Sequence, residues 1–303
     1  MKKFSALLLA LLLVLLSAFA LADGLDVDKL SIQFVPTNTE TADATTADFS
    51  AYMSNLLGIP VNVTVATSYN AIVEAMESGT VDVGIMPPAT YVQAREMGVA
   101  KAVLSSVLTD YDQETEQLLP GTSVGSFKAE VLVRADSGIT GYEGLAGKTI
   151  AYLGASSASG YIYPVAEMKM AGIDTESCNW VNITSVPSAI LAVIKGDVDA
   201  CFTFEGSRFV FSSAVLDDNG NPYDLYTELS VAKLSDGDIP NDAVAVNTRL
   251  SDATAEAVRQ AFLDMAADEA GLAIMSTWNH NGYVEANDAD YDTIAEYIEL
   301  AAE

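Results

Sequence analysis

From Leu30 onward the chain alternates between short β-rich runs and segments with helical spacing. SIQFVP (31–36) reads as a strand. Phe49, Tyr52, Met53, Leu56 and Leu57 then follow at i, i+3, i+4, i+7 and i+8, the apolar face of a helix that Gly58 and Pro60 stop. VNVTVA is a second strand, Asn70 to Ser78 a short helix ending at Gly79, and VDVGIM a third strand. Pro88 opens a helix to Met97, and KAVLSSV is a fourth strand. Strands alternating with helices in this way predict a parallel sheet covered on both faces.

The same order restarts downstream. TIAYL is a strand, Ser159 to Ala171 a helix closed by Gly172, and WVNITS a strand; Pro187 to Lys195 is a helix closed by Gly196, and ACFTF a further strand. AIVEAMESGTVDVGI (Ala71 to Ile85) and AILAVIKGDVDACF (Ala189 to Phe202) both run helix, glycine stop, Val-Asp, strand. At matching places in two α/β halves, that likeness points to two lobes of similar design. Between the halves lies the polar stretch Thr109 to Ser126 with its Pro120-Gly121 turn, followed by the extended run AEVLVR. A second extended run, DAVAVN (Asp242 to Asn247), precedes helix-rich sequence from Ala253 to the end. Extended runs on both sides of the second half are expected to be two hinge crossings. Open parallel sheets bind at the carboxyl ends of their strands, so a ligand cleft closed by hinge motion is expected there.

Ahead of this pattern, Lys2 and Lys3 lead into an uncharged, Leu-rich stretch from Phe4 to Ala22 that ends in Ala20-Leu21-Ala22, with small residues where a signal peptidase reads. A secretory signal (1–22) cleaved before Asp23 is expected, with a membrane anchor as the alternative. No cysteine follows the leader to carry a lipid, so the expected location is periplasmic or secreted. Removing 22 residues would leave 281, enough for one large or two medium domains. Those residues hold 12 basic and 42 acidic side chains, a formal charge of about −30. Such a field repels nucleic acid and anionic membranes and does not steer anionic ligands, so an anion site has to act locally. The two cysteines, Cys178 and Cys201, fall near the starts of strands that should flank a third. A separation of about 10 Å follows, which disfavours a bridge.

Conventional catalytic constellations are missing. His280 is the only histidine and falls in a polar Trp278-Asn279-His280-Asn281-Gly282 turn, where a structural surface role is expected. There is no phosphate loop, GxGxxG or CxxC, and no cofactor is expected. The strongest local signal is GASSASGYIYP (Gly154 to Pro164), between a strand and a helix. Small residues let a backbone approach a ligand, and Ser156, Ser157 and Ser159 offer hydroxyls beside the free N–H groups of a first helical turn. That set can bind an oxyanion through neutral donors and the helix dipole; an ordinary serine cap with a flexible lead-in is the alternative. Tyr69 follows VNVTVATS, and Thr90 and Tyr91 follow VDVGIMPPA, at strand ends where they could meet a ligand or simply pack. Glu205, closing the apolar ACFTF run, suggests a cationic partner; its other reading is a cap for the next helix.

ATSYNAIVEAMESGTVDVGIMPPATYV, VLVRADSGITGYEGLAGKTIAYLGASSASGYIYP and AILAVIKGDVDACFTFE together resemble the phosphonate-binding proteins of phosphate/phosphite/phosphonate ABC transporters, from about Leu30 to Leu250. The resemblance implies an α/β, two-lobed type II periplasmic-binding-protein fold, with two doubly wound, mostly parallel sheets joined by a two-strand hinge. It implies a receptor, not an enzyme, that holds a phosphonate or similar small oxyanion and delivers it to a cognate ABC permease, the protein acting as a monomer. The expected division is 23–125 for the first lobe, 126–245 for the second, and 246–303 for a return to the first with C-terminal helices. Ligand contacts are expected at Tyr69, Thr90, Tyr91, Ser156, Ser157, Ser159, Gly160, Tyr161 and Glu205. Two departures remove donors: Ala158 stands where the family commonly has threonine, and Val186 where it often has histidine. Receptors for sulfonate, nitrate or an organic cation, and an exported enzyme on the same fold, are the competing functions.

Overall fold

LSIQF turns Leu30, Ile32 and Phe34 inward on alternate positions, which makes β1 (Leu30–Phe34) the spine of a first sheet. The computed structural model describes residues 25–35, 42–112, 115–275 and 280–303, so the expected leader and its cleavage site lie outside the described residues. β1 pairs in parallel with β2 (Val61–Val65) on one side and β3 (Val83–Met86) on the other. The intervening helices are α1 (Ala42–Leu57) and α2 (Tyr69–Glu77), and α3 (Pro88–Glu96) leads into β4 (Ala100–Val107). Phe49, Met53 and Leu57 of α1 are buried against the sheet, as their spacing predicts.

β3 and β4 do not pair with each other. β12 (Ala243–Asn247), arriving from far downstream, lies between them and is antiparallel to both. β13 (Gly282–Glu285) closes the edge beside β4, so the order is β13-β4-β12-β3-β1-β2. After β12, α8 (Asp252–Ala266) starts at Ser251, whose hydroxyl accepts from the Thr254 N–H. It buries Val258, Ala261, Phe262 and Met265 in the same core, with Phe262 edge-on to Phe49 at 6.0 Å. α9 (Glu269–Met275) follows.

The second sheet runs β10-β6-β9-β7-β8. β7 (Thr149–Tyr152) is parallel to β8 (Asn179–Asn182) and to β9 (Ala200–Phe204), while β6 (Ala129–Arg134) and β10 (Leu229–Leu234) add antiparallel strands. β8 and β9 flank β7, and Cys178 and Cys201 are both free and buried. α5 (Val186–Lys195) covers one face, packing Ala189, Ile190 and Val193 on Leu132, Ala151 and Cys201. Two further strands, β5 (Ser126–Phe127) and β11 (Ile239–Pro240), form a separate antiparallel pair.

The chain divides into two units: the sequence up to Leu108 with Asp242–Asn287, and Thr109–Asn241 with Asp288–Glu303. This corrects three expectations. AEVLVR and DAVAVN are interior sheet strands of the second and first unit, not hinge segments, because their apolar residues are needed in the cores. The chain crosses after Leu108 and Asn241, where 125 and 245 were expected. Residues 288–303, assigned by sequence to the first lobe, belong to the second unit, because α10 (Asp292–Ala302) packs against α4 (Tyr163–Met170).

The α4–α10 contact turns on one buried carboxylate. Glu167 accepts from the Tyr142 hydroxyl at 2.9 Å, the Tyr297 hydroxyl at 3.3 Å, and the N–H groups of Asp236 and Gly237 at 3.0 and 2.8 Å. Tyr163 stacks on Tyr297 with centroids 4.1 Å apart. Burial first, and then the Glu167 charge, push the Tyr297 phenol up to about 12. Glu167→Ala strands four donors at on the order of 1–3 kcal/mol each, not fully additive. A loss of about 3 kcal/mol or more in denaturant-unfolding stability is expected; a loss below about 1 kcal/mol would show that the knot is not the fastening of α10.

Candidate functional site

In the second unit, β7 ends at Tyr152 and the chain turns through Gly154, whose φ of +136° suits glycine. Ser157 then caps the next helix, its Oγ accepting from the Gly160 N–H at 3.1 Å. A serine that accepts in a cap keeps its O–H proton for an outside acceptor. The helix predicted from Ser159 begins as a π turn, Ala158–Ile162, with the Ile162 N–H donating to the Ser157 carbonyl at 3.0 Å, before α4 continues it. Such turns are rare and are frequent at functional sites. Gly160 is required by space: a Cβ there would lie 2.7 Å from three Leu153 side-chain atoms.

Ser157 and Ser159 are buried and Ser156 is half-buried. Tyr161 joins an aromatic cluster, 5.2 Å from Tyr152 and 5.9 Å from Trp180 between centroids, so its ring walls the loop's flank. Burial, then the neighbouring Tyr152, pushes its phenol up. Across this stretch, hydroxyls and first-turn N–H groups gather at the positive end of a helix dipole without an ionised cation.

Glu205 follows β9 and is 8% exposed. Burial pushes its carboxyl up, and Asp110 and Glu116 add to the shift, while the Lys128 backbone and ammonium oppose it. It does not cap the next helix, α6 (Ser207–Val210), whose cap position is Gly206 with no side-chain hydrogen bond. The sequence reading missed the network beneath it. Arg208 donates through Nε and Nη2 to the Glu116 carboxylate and through Nη1 to the Leu229 carbonyl at 3.0 Å, and its guanidinium lies 4.9 Å from the Tyr226 ring centre. Glu130 lies nearby, fully buried, its Oε1 accepting from Ser207. The available signal was a carboxylate inside the apolar AEVLVR run, the same signal that singled out Glu205.

In the first unit, Tyr69 opens α2 behind the Ser68 cap and is half-buried. Its phenol is pushed up by burial and then by Asp242. Thr90 is 1% exposed, and its hydroxyl has no partner among the described residues. Tyr91 is different: it is fully buried and its hydroxyl accepts from the Ala102 N–H of β4 at 3.1 Å. The geometry gives Tyr91 a packing role beside β4, while its O–H proton, like that of Ser157, is not used by the Ala102 bond. His280 is corrected, because it is 2% exposed, with Nδ1 3.2 Å from the Tyr283 hydroxyl and Nε2 3.4 Å from Asp242. The preceding residues, Trp278 and Asn279, lie outside the described residues.

The profile of a family described as "ABC transporter, phosphonate, periplasmic substrate-binding protein" matches residues 32–291. The phosphate-import protein PhnD of Mycolicibacterium smegmatis is 31% identical over 158 residues, 49% of this chain and 46% of that protein, so the match spans about half the length of the curated relative. The fold is shared with a binding protein component of an ABC phosphonate transporter from Pseudomonas aeruginosa, at TM-score 0.70 and 16% identity, covering 91% of this chain and 87% of the other. PhnD1 from Prochlorococcus marinus, solved with methylphosphonate, superposes at TM-score 0.67 and 16% identity over 89% and 97% of the two chains. These likenesses identify the type II periplasmic-binding-protein fold.

Buried hydroxyls separate two kinds of residue here. Thr90→Val keeps the shape and removes an unpaired polar atom, so the unliganded protein should melt at the same or a higher temperature. Tyr91→Phe strips the Ala102 N–H of its acceptor and should cost about 1–2 kcal/mol. A thermal melt in which Thr90→Val is the more damaging change would show that Thr90 is structural.

Proposed function

The chain belongs to the family of periplasmic substrate-binding proteins of phosphonate ABC transporters, and from that premise we propose that it captures a phosphonate or similar small oxyanion outside the cytoplasm and hands it to a cognate ABC permease. The observation that carries the reading is the Ser157–Gly160 turn. It presents hydroxyls and small residues at the start of a helix, with the Gly160 N–H held on Ser157 Oγ, a neutral cradle for a tetrahedral anion. In a chain with a net charge of −28, local dipoles can do what the global field cannot.

Ser156, Ser157 and Ser159 are assigned to the oxyanion, with Gly160 contributing the close packing of the turn and Tyr161 walling the flank. Tyr69 and the unpartnered Thr90 hydroxyl are the contacts proposed from the first unit. Glu205 is assigned to the ligand's organic end, where a partly desolvated carboxylate is best met by an ammonium group. One calorimetric series tests both assignments. Replacing Ser157 and Ser159 by alanine removes donors worth roughly 1.5–3 kcal/mol each to a charged acceptor, about tenfold or more in affinity per site. Glu205→Gln should weaken an aminoalkylphosphonate more than methylphosphonate. Undiminished affinity in the serine double variant would move the anion elsewhere, and equal losses for both ligands would leave Glu205 without a selective role.

Export is proposed to use the leader at 1–22, with cleavage before Asp23 and no lipid attached. The described helices include none long and apolar enough to cross a membrane. Intact mass of the secreted protein should match a chain beginning at Asp23; a mass retaining Met1 to Ala22 would overturn the cleavage site.

A further inference from the structure

One carboxylate in the second unit is used neither by the fold's main fastening nor by the proposed ligand contacts. Glu130 on β6 is 0% exposed. Its Oε1 accepts from the Ser207 hydroxyl at 3.1 Å, and its Oε2 has no partner among the described residues. Directly opposite on β9 stands Thr203, also 0% exposed, whose Oγ1 is likewise without a partner. Opposed residues of an antiparallel pair hold their Cβ atoms about 4.5–5.5 Å apart on one face of the sheet, so a small rotamer adjustment joins the two oxygens.

A threonine hydroxyl can serve either form of a carboxyl group, so charge decides which form is present. Arg208 is the cation at this site, and its donors are committed to both oxygens of Glu116 and to the Leu229 carbonyl. The other neighbours are no substitute. Glu116 brings a second negative charge, Cys201 on β9 is buried with its thiol pushed up, and Tyr226 of α7 (Leu225–Glu228) faces the guanidinium. The β10 residue opposite Glu130 is Leu234.

We propose that Glu130 is carried in the folded protein as a neutral carboxylic acid, its Oε1 receiving Ser207 and its Oε2–H donating to Thr203, and that it is a positioning residue for the Glu205–Arg208 turn. The ligand-facing half of this inference rests on the proposed role of Glu205. Burial, and then the Glu116 charge, push the Glu130 carboxyl well above the ordinary carboxylate range against the pull of Arg208 and Ser207. Ionisation would release the proton to solvent and leave two buried anions sharing one guanidinium. The turn from 205 to 208 would have to open to admit water.

An acid whose folded pKa lies above its unfolded one contributes stability in full below the unfolded value, and loses it as pH climbs toward the folded value. Urea unfolding of the ligand-free protein from pH 5 to 8 should therefore show the folding constant of Glu130→Gln, which keeps the neutral shape, gaining on wild type by up to about tenfold per pH unit. Superimposable pH dependences for the two proteins would overturn the buried proton. Should the variant not fold, isotope-edited infrared spectra of wild type labelled at glutamate decide instead: the carbonyl band of a protonated carboxylic acid is expected at pH 7, and its absence overturns the proposal. Calorimetry with methylphosphonate tests positioning, and the wild-type to variant affinity ratio cancels titration of the ligand itself. That ratio should stay constant while the folding constants diverge, because the folded acid is neutral throughout that interval, and should fall once the divergence levels off and Glu130 ionises in the folded state; a ratio that falls within the diverging interval, or that stays constant beyond its end, overturns the positioning role. A wild type that binds neither methylphosphonate nor phosphate overturns the functional reading alone, and the unfolding comparison still settles the proton.

Discussion

Everything in the first unit waits on β12. Its five residues are all buried, and among the described residues it is the strand that joins β3 to β4, which do not pair with each other. The insertion that separates β4 from β12 in sequence must therefore leave and return at neighbouring points. The Ser106 N–H donates to the Asp242 carbonyl at 2.9 Å, holding the two ends side by side in the first unit. The second unit fastens its own end in the same way: the Asn241 N–H donates to the Gly125 carbonyl at 3.1 Å and the Asn241 side chain to the Val124 carbonyl at 2.8 Å. Closing a long loop costs entropy only slowly with length, so a large insertion is tolerated once its ends are pinned.

The α/β character of both halves was legible because helix and strand periods are local. Phe49, Met53 and Leu57 announce α1, and Gly196, at φ +76°, announces the end of α5. Strand order was not legible, since nothing within DAVAVN says that its partners lie at 83–86 and 100–107. The hinge reading failed for that reason: an extended apolar run looks alike in a connector and in a core. β10 and β13 went unread, and LSVAKL is only half-buried on one side, which weakens its alternation. Of the candidate site, Ser157 was readable as a cap from its neighbours. The packing of Tyr91 on β4 was not legible because adjacent helical residues point in different directions, and sequence alone does not say which of Thr90 and Tyr91 turns into the sheet.

A common physical theme links the buried polar groups. Glu167 is met by four donors and Glu116 by a guanidinium fork, and such groups fix geometry because leaving them unmet is costly. Thr90 and Thr203 break the pattern with hydroxyls that meet no partner among the described residues. The two exceptions have different resolutions here. On the two proposals made above, Thr90 meets an outside acceptor and Thr203 a proton held on Glu130.

The late arrival of β12 also bears on biogenesis. Synthesis runs from the N-terminus, and early segments ordinarily fold first. In this chain the earliest helices and strands cannot finish their core until residues 243–247 exist, because the joining strand follows the whole of the 109–241 insertion. A joining strand made this late leaves the first-made portion of the sheet without its link while residues 109–241 are being synthesised.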